Sequence, residues 1–150
     1  MSAIANIVAF DGATTPVSHT LIPISVTRER GKVMAVYREK LTTLPEEAQV
    51  FVIYTQEQTK AGTTITTVDV NVPVMESVSG VNSSGYTAAP KVAFIDRNVY
   101  INYAPKRSTV TSRRLARQLL VNILGNVVTS VAPATAGMTP EAVDLLVSPT

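Results

Sequence analysis

Alternation of apolar and polar residues with a period of two runs through the first two-thirds of the chain. Its clearest instance is residues 63–72. There Val68, Val70 and Val72 point one way, and Thr67, Asp69 and Asn71 the other. This predicts a strand with one apolar and one polar face. Apolar residues 4–10 predict a first strand that ends at Asp11-Gly12, a turn signal. Residues 17–26 form the second strand of that hairpin. Pro23 lies inside it and lacks an N–H, so the strand is at an edge or bulges there. A turn at Arg28-Glu29-Arg30-Gly31 leads into a third strand at 33–40, and Pro45 marks the loop 41–47. Residues 49–57 predict a fourth strand. Lys60-Ala61-Gly62 turns the chain into 63–72, which Pro73 closes. The Ser- and Gly-rich segment 77–90 reads as a long flexible loop before a last strand at 91–103. In that strand Val99, Ile101 and Tyr103 share one face, and Asn98, Tyr100 and Asn102 the other. Connections this short make the sheet antiparallel.

The period then changes. Leu115, Leu119, Leu120, Ile123, Leu124, Val127, Val128 and Val131 recur at three- and four-residue spacing, the apolar stripe of an amphipathic helix. Thr109 or Thr111 caps its start. Gly125 either ends it or sits inside it, and Pro133 stops it. A second short helix begins at Thr139-Pro140-Glu141, with Ala142, Val143, Leu146 and Val147 as its apolar residues. Strands first and helices afterwards predict one α+β domain over 1–150, with strands in 1–104 and two helices in 108–148. The strands are an N-terminal hairpin and about five more in an antiparallel sheet.

Composition sharpens this. The 150 residues include 22 Val and 19 Thr, while only 16% are charged. That excess of β-branched residues supports a sheet. There is no Cys and one histidine, His19. A thiolate site, a zinc site or a common catalytic triad therefore has no ligands to draw on. No phosphate-binding or nucleophile-elbow motif occurs. The reading is a non-enzymatic protein without metal, cofactor or small-molecule substrate. Residues 1–10 carry no Lys or Arg and make a poor signal peptide. The uncharged stretch 118–140 contains too many polar residues for a membrane span, so no membrane partner is expected.

The net charge is only +2. Arg28, Arg30, Lys32, Arg38 and Lys40 form one basic cluster, diluted by Glu29 and Glu39. A second contains Arg97, Lys106, Arg107, Arg113, Arg114 and Arg117, with no acid between Arg97 and Pro140. Cations near a helix start oppose its dipole by about 0.3–1 kcal/mol each. The second cluster is thus either an ordinary solvated helix face or the mark of an external anion or acidic partner. Two helices also cover only part of a sheet this wide, and large exposed apolar faces usually mark association. A two-fold dimer hides them if each subunit's helices lie across its partner's sheet.

The order of elements and several local patterns resemble the coat proteins of the small single-stranded RNA bacteriophages. The patterns are Asn6-Ile7-Val8-Ala9-Phe10-Asp11-Gly12, Val68-Asp69-Val70-Asn71-Val72-Pro73, and Asn98-Val99-Tyr100-Ile101-Asn102-Tyr103 leading into Ser112-Arg113-Arg114-Leu115-Ala116-Arg117-Gln118-Leu119-Leu120. The resemblance spans nearly the whole chain. It implies an interlocked homodimer, assembly into an icosahedral shell around single-stranded RNA, and binding of an RNA stem-loop as a translational repressor. The protein would be made in the bacterial host cytoplasm and reside in the virion. Dimer contacts would fall on Leu115, Leu119, Leu120, Ile123, Leu124, Val127, Val143 and Leu146. Contacts between dimers would use the loop residues Val78, Val81 and Tyr86. Family RNA contacts are polar side chains on central strands plus a stacking aromatic. The matching positions are Thr67, Asn98, Asn102 and Tyr100, with Thr55 a further candidate and Arg38 and Lys40 supplying diffuse charge. The chain departs from the family pattern at Asp69, where some relatives carry a basic residue, and at Asp96. Two alternative readings are a dimeric RNA-binding regulator that forms no shell, and a small enzyme with its site on the polar sheet face, which the missing Cys and second His disfavour.

Overall fold

Local sequence signals set the turns, and the turns fix the sheet. The computed structural model describes residues 4–41, 43–76, 80, 83–85, 91–129 and 131–150. β1 (Ile7–Phe10) and β2 (Ser18–Glu29) form the expected hairpin. Asp11 builds its turn by accepting the backbone N–H of Val17 at 2.8 Å and of Ala13 at 3.3 Å. Arg30 and Gly31 link β2 to β3 (Lys32–Glu39), with φ of 47° and 84°. Two successive positive φ values match the twist of a two-residue hairpin turn, and glycine takes the second without strain. β4 (Phe51–Gln58), β5 (Thr64–Met75) and β6 (Val92–Ala104) complete a six-stranded antiparallel sheet in sequence order.

The two prolines within strands, Pro23 and Pro73, behave as their missing N–H requires. At Pro23 the β2–β3 register shifts, the bulge that was one of two expected outcomes. Pro73 does not close its strand. β4 begins at Phe51 opposite Asn71, so β5 beyond Asn71 has a strand neighbour on one side only. Proline is tolerated at such a local edge, and β5 runs on to Met75.

α1 (Val110–Leu124) starts with a capping box between Thr109 and Ser112 and ends at Gly125. It is therefore shorter than the apolar stripe, which continues to Val131. α2 (Met138–Val143) starts after Gly137 rather than at Thr139. The Thr139 hydroxyl instead meets the Tyr54 hydroxyl at 2.6 Å.

Directly paired residues share a face of the sheet, so the registers sort every strand residue. One face carries Leu21, Ala35, Tyr37, Val52 and Tyr54, the buried core, with Tyr37 and Tyr54 edge to face at 5.8 Å. The C-terminal segment straps onto this face through polar contacts. The Ala142 carbonyl accepts from Gln56 at 3.1 Å and Thr66 at 3.3 Å. Ser148 donates to Gln56, and Arg28 donates to the Pro149 carbonyl at 2.8 Å. Val143 is 0% exposed within its own chain. Its expected role as a dimer contact is corrected: the side chain is already buried within its own subunit.

The arginines of α1 have an internal acid. Asp144, also fully buried, accepts Nε and Nη2 of Arg117 at 2.9 and 2.8 Å and Nε of Arg114 at 3.2 Å. Arg113 donates to the Asp144 carbonyl at 2.8 Å. These contacts pin α1 to the segment after α2. Three of the arginines that hinted at an external anion are thus engaged from within, by an acid 27–31 residues away.

Candidate assembly and nucleic-acid surfaces

The face of the sheet without helices is organised in rows. Met34, Thr55, Thr67 and Ile101 form one, with Thr55 directly opposite Thr67. The next is Val36, Ile53, Asp69 and Val99, and then Arg38, Phe51, Asn71 and Arg97. Thr55 and Thr67, both expected RNA contacts, thus share this face, and Arg38, expected only as diffuse charge, lies on it as well.

Asn98, Tyr100 and Asn102 do not join them. β6 pairs with β5 so that Val70 faces Asn98, Val68 faces Tyr100 and Thr66 faces Asn102. All three lie on the helix-bearing face, and their expected place beside Thr67 is corrected. Tyr100 sits with Arg117, Leu120, Val121 and Leu124, and burial raises its phenol pKa. It supports α1. It is not displayed on the face that carries Thr67. Conversely Val99, Ile101 and Tyr103, which alternation alone would send to a core, are exposed on the helix-free face.

Charges on the helix-free face come in opposed pairs. Lys32 stands opposite both Glu29 and Glu57. Arg38 pairs with Glu46, and Arg97 with Asp69. Lys40, just past β3, is exposed and in no ion pair among the described residues. Asp96, opposite Val72, belongs to the helix-bearing face and adds no negative charge here.

The second surface is apolar. Leu115, Leu119, Ile123, Leu124 and Val127 are exposed along and just beyond α1, and Leu120 and Leu146 are half-buried. Val121 is exposed as well and extends this surface. The sequence reading left it out because it falls outside the main three-and-four spacing. On the sheet of the same subunit, Ile7, Leu21, Val52, Val68 and Val70 line an apolar groove of about 460 Å³. Among the described residues no helix is long and apolar enough to cross a membrane. The expected inter-dimer residues Val78, Val81 and Tyr86 lie outside the described residues.

His19 stands at the rim of the groove, its Nδ1 3.0 Å from Glu39 of β3 and its Nε2 3.7 Å from Asp11 in the hairpin turn. The hydrogen bond to Glu39, opposed by burial and helped by the charges of Glu39 and Asp11, holds its pKa above 6.5. A raised imidazole pKa adds stability that is fully present below 6.5 and is lost as pH rises through the folded value. Thermal melting should therefore fall as pH rises from about 6.5 into the mildly alkaline range in the wild type. In His19→Gln the slope over that window should disappear; an unchanged slope would assign it to other groups.

A family model described as Levivirus coat protein matches residues 2–141. The solved virus-like particle of bacteriophage EMS014 is similar, with 32% identity over 86% of this chain and 81% of that one and a TM-score of 0.69. The bacteriophage EMS014 coat protein gives 31% identity over 96% and 84% of the two chains, with a TM-score of 0.64. The virus-like particle of bacteriophage ESE058 shares the fold at 18% identity, covering 92% of each chain, with a TM-score of 0.70. No curated protein matches the chain in sequence.

Proposed function

From the premise that this chain belongs to the Levivirus coat protein family, we propose that it dimerises, closes into an icosahedral shell and encloses single-stranded RNA. The family is structural rather than enzymatic. The observation that carries the reading is a mismatch within one subunit. Among the described residues, nothing covers a long apolar helix surface or an apolar groove on the sheet. In a two-fold arrangement the helix of each subunit fills the groove of the other, and each surface supplies what the other lacks. The uncovered β6 edges join the two sheets, and Val78, Val81 and Tyr86 form contacts between dimers. The helix-free face turns inward to the RNA, where Thr55 and Thr67 offer hydroxyls. Lys40, and Arg38 where Glu46 releases it, add attraction that weakens with salt. Binding of a stem-loop by this face would make the protein a translational repressor.

Light scattering and nuclease protection on the purified protein test this. The expected result is particles tens of nanometres across that protect RNA and dissociate into dimers. A species that binds RNA yet stays dimeric under all conditions would replace the shell with the regulator reading.

A further inference from the structure

Across β4, β5 and β6 the helix-free face holds a single cation, Arg97, and two acids, Glu57 and Asp69. Glu57 has Lys32 opposite it. Asp69 is different, because its carboxylate is largely buried while the arginine it holds is not. It accepts Nε of Arg97 at 2.9 Å and Nη2 at 2.7 Å, and Asn71 donates to its Oδ1 at 3.0 Å. Two-point bonding of this kind fixes the plane of a guanidinium. The Arg97 side chain is nevertheless 61% exposed. Of its five N–H donors Asp69 takes two, which leaves three for another acceptor.

We propose that Arg97 is the residue by which this coat protein distinguishes one RNA stem-loop from another, with Asp69 as its positioning residue. The inference rests on the RNA-binding reading above and adds to it. The Arg97–Asp69 pair has no net charge, so it attracts RNA in general only weakly. What it offers is directional: donors held in one plane for a base edge, and an exposed flat surface for an unpaired base. It also answers the departure from the family pattern at Asp69. The acid does not repel phosphate, because the strand beside it brings the compensating cation. The hydrogen bond from Arg97 keeps the Asp69 carboxyl below its usual range, so the pair is intact throughout neutral pH.

The test is selection from a library of RNA stem-loops with randomised loop bases, using the full chain. Wild type should enrich a restricted set. Arg97→Lys keeps the charge and loses the fixed plane. It should lower affinity for that set by about 5- to 150-fold and leave binding to the unselected library and its salt dependence nearly unchanged. Asp69→Asn frees the Arg97 charge. It should raise affinity for unselected RNA, steepen the salt dependence by about one contact, and reduce discrimination. A merely structural Asp69 would not raise unselected binding. If Arg97→Lys enriches the wild-type set at wild-type affinity, Arg97 has no such role and the RNA reading stands. If wild type itself enriches nothing, the stem-loop reading fails and this inference with it.

Discussion

Asp144→Asn should destabilise the fold by about 3–5 kcal/mol, because it leaves a buried guanidinium without its counter-charge. Arg117 is 6% exposed, and its Nε and Nη2 both donate to the Asp144 carboxylate. The asparagine can accept one of those bonds but brings no charge, and Arg114 loses its partner too. The loss should appear as a lower denaturation midpoint and a lower yield of particles. Replacing Arg117 by Met in the same chain should recover part of it, since the stranded cation is then gone. The wild-type pair also predicts an acid limit. Burial pushes the Asp144 carboxyl up, but Arg117 and Arg114 more than offset this and hold its pKa below 3.8. Its contribution is present above that value and is lost as pH falls through the lower, folded one. An unchanged midpoint in Asp144→Asn would mean that other contacts hold α1.

The second large effect belongs to association. Ile123 is 74% exposed in the isolated subunit, and Leu119 about half. Truncation to Ala should therefore change little in a lone chain. In a dimer that buries these side chains, each loss should remove about 2–5 kcal/mol per site, and a two-fold dimer contains each site twice. Sedimentation should show Leu119→Ala and Ile123→Ala shifting toward monomer at concentrations where wild type is dimeric. Their melting should depend more steeply on protein concentration. Dimers of wild-type strength in both variants would move the interface off α1.

Most elements were legible because their signals are local. Alternation marked β5, Asp11 and Gly31 marked turns, and Thr109 marked the helix start. What the sequence left open was parity. Val68, Val70 and Val72 visibly share a face, as do Asn98, Tyr100 and Asn102. Nothing local says whether the two sets lie on the same side. The segment 77–90 can absorb one residue of slip, and one residue turns every side chain of β6 over. Tyr100 was misplaced for that reason. Asp144 was missed as the partner of the arginines for another: ion pairs between distant residues leave no periodicity. The signal available was weaker, a lone acid among the apolar residues 142–147.

The position of Asp144 also bears on synthesis. A ribosome completes all six strands and α1 before it reaches this residue. Until then Arg114 and Arg117 have no carboxylate to close on, and α1 is not yet tied down. A chain interrupted earlier has the sheet but no anchored helix to offer a partner. A product stopped before Asp144 would lack the carboxylate that ties down α1, and with it the anchored helix on which the proposed dimer contact depends.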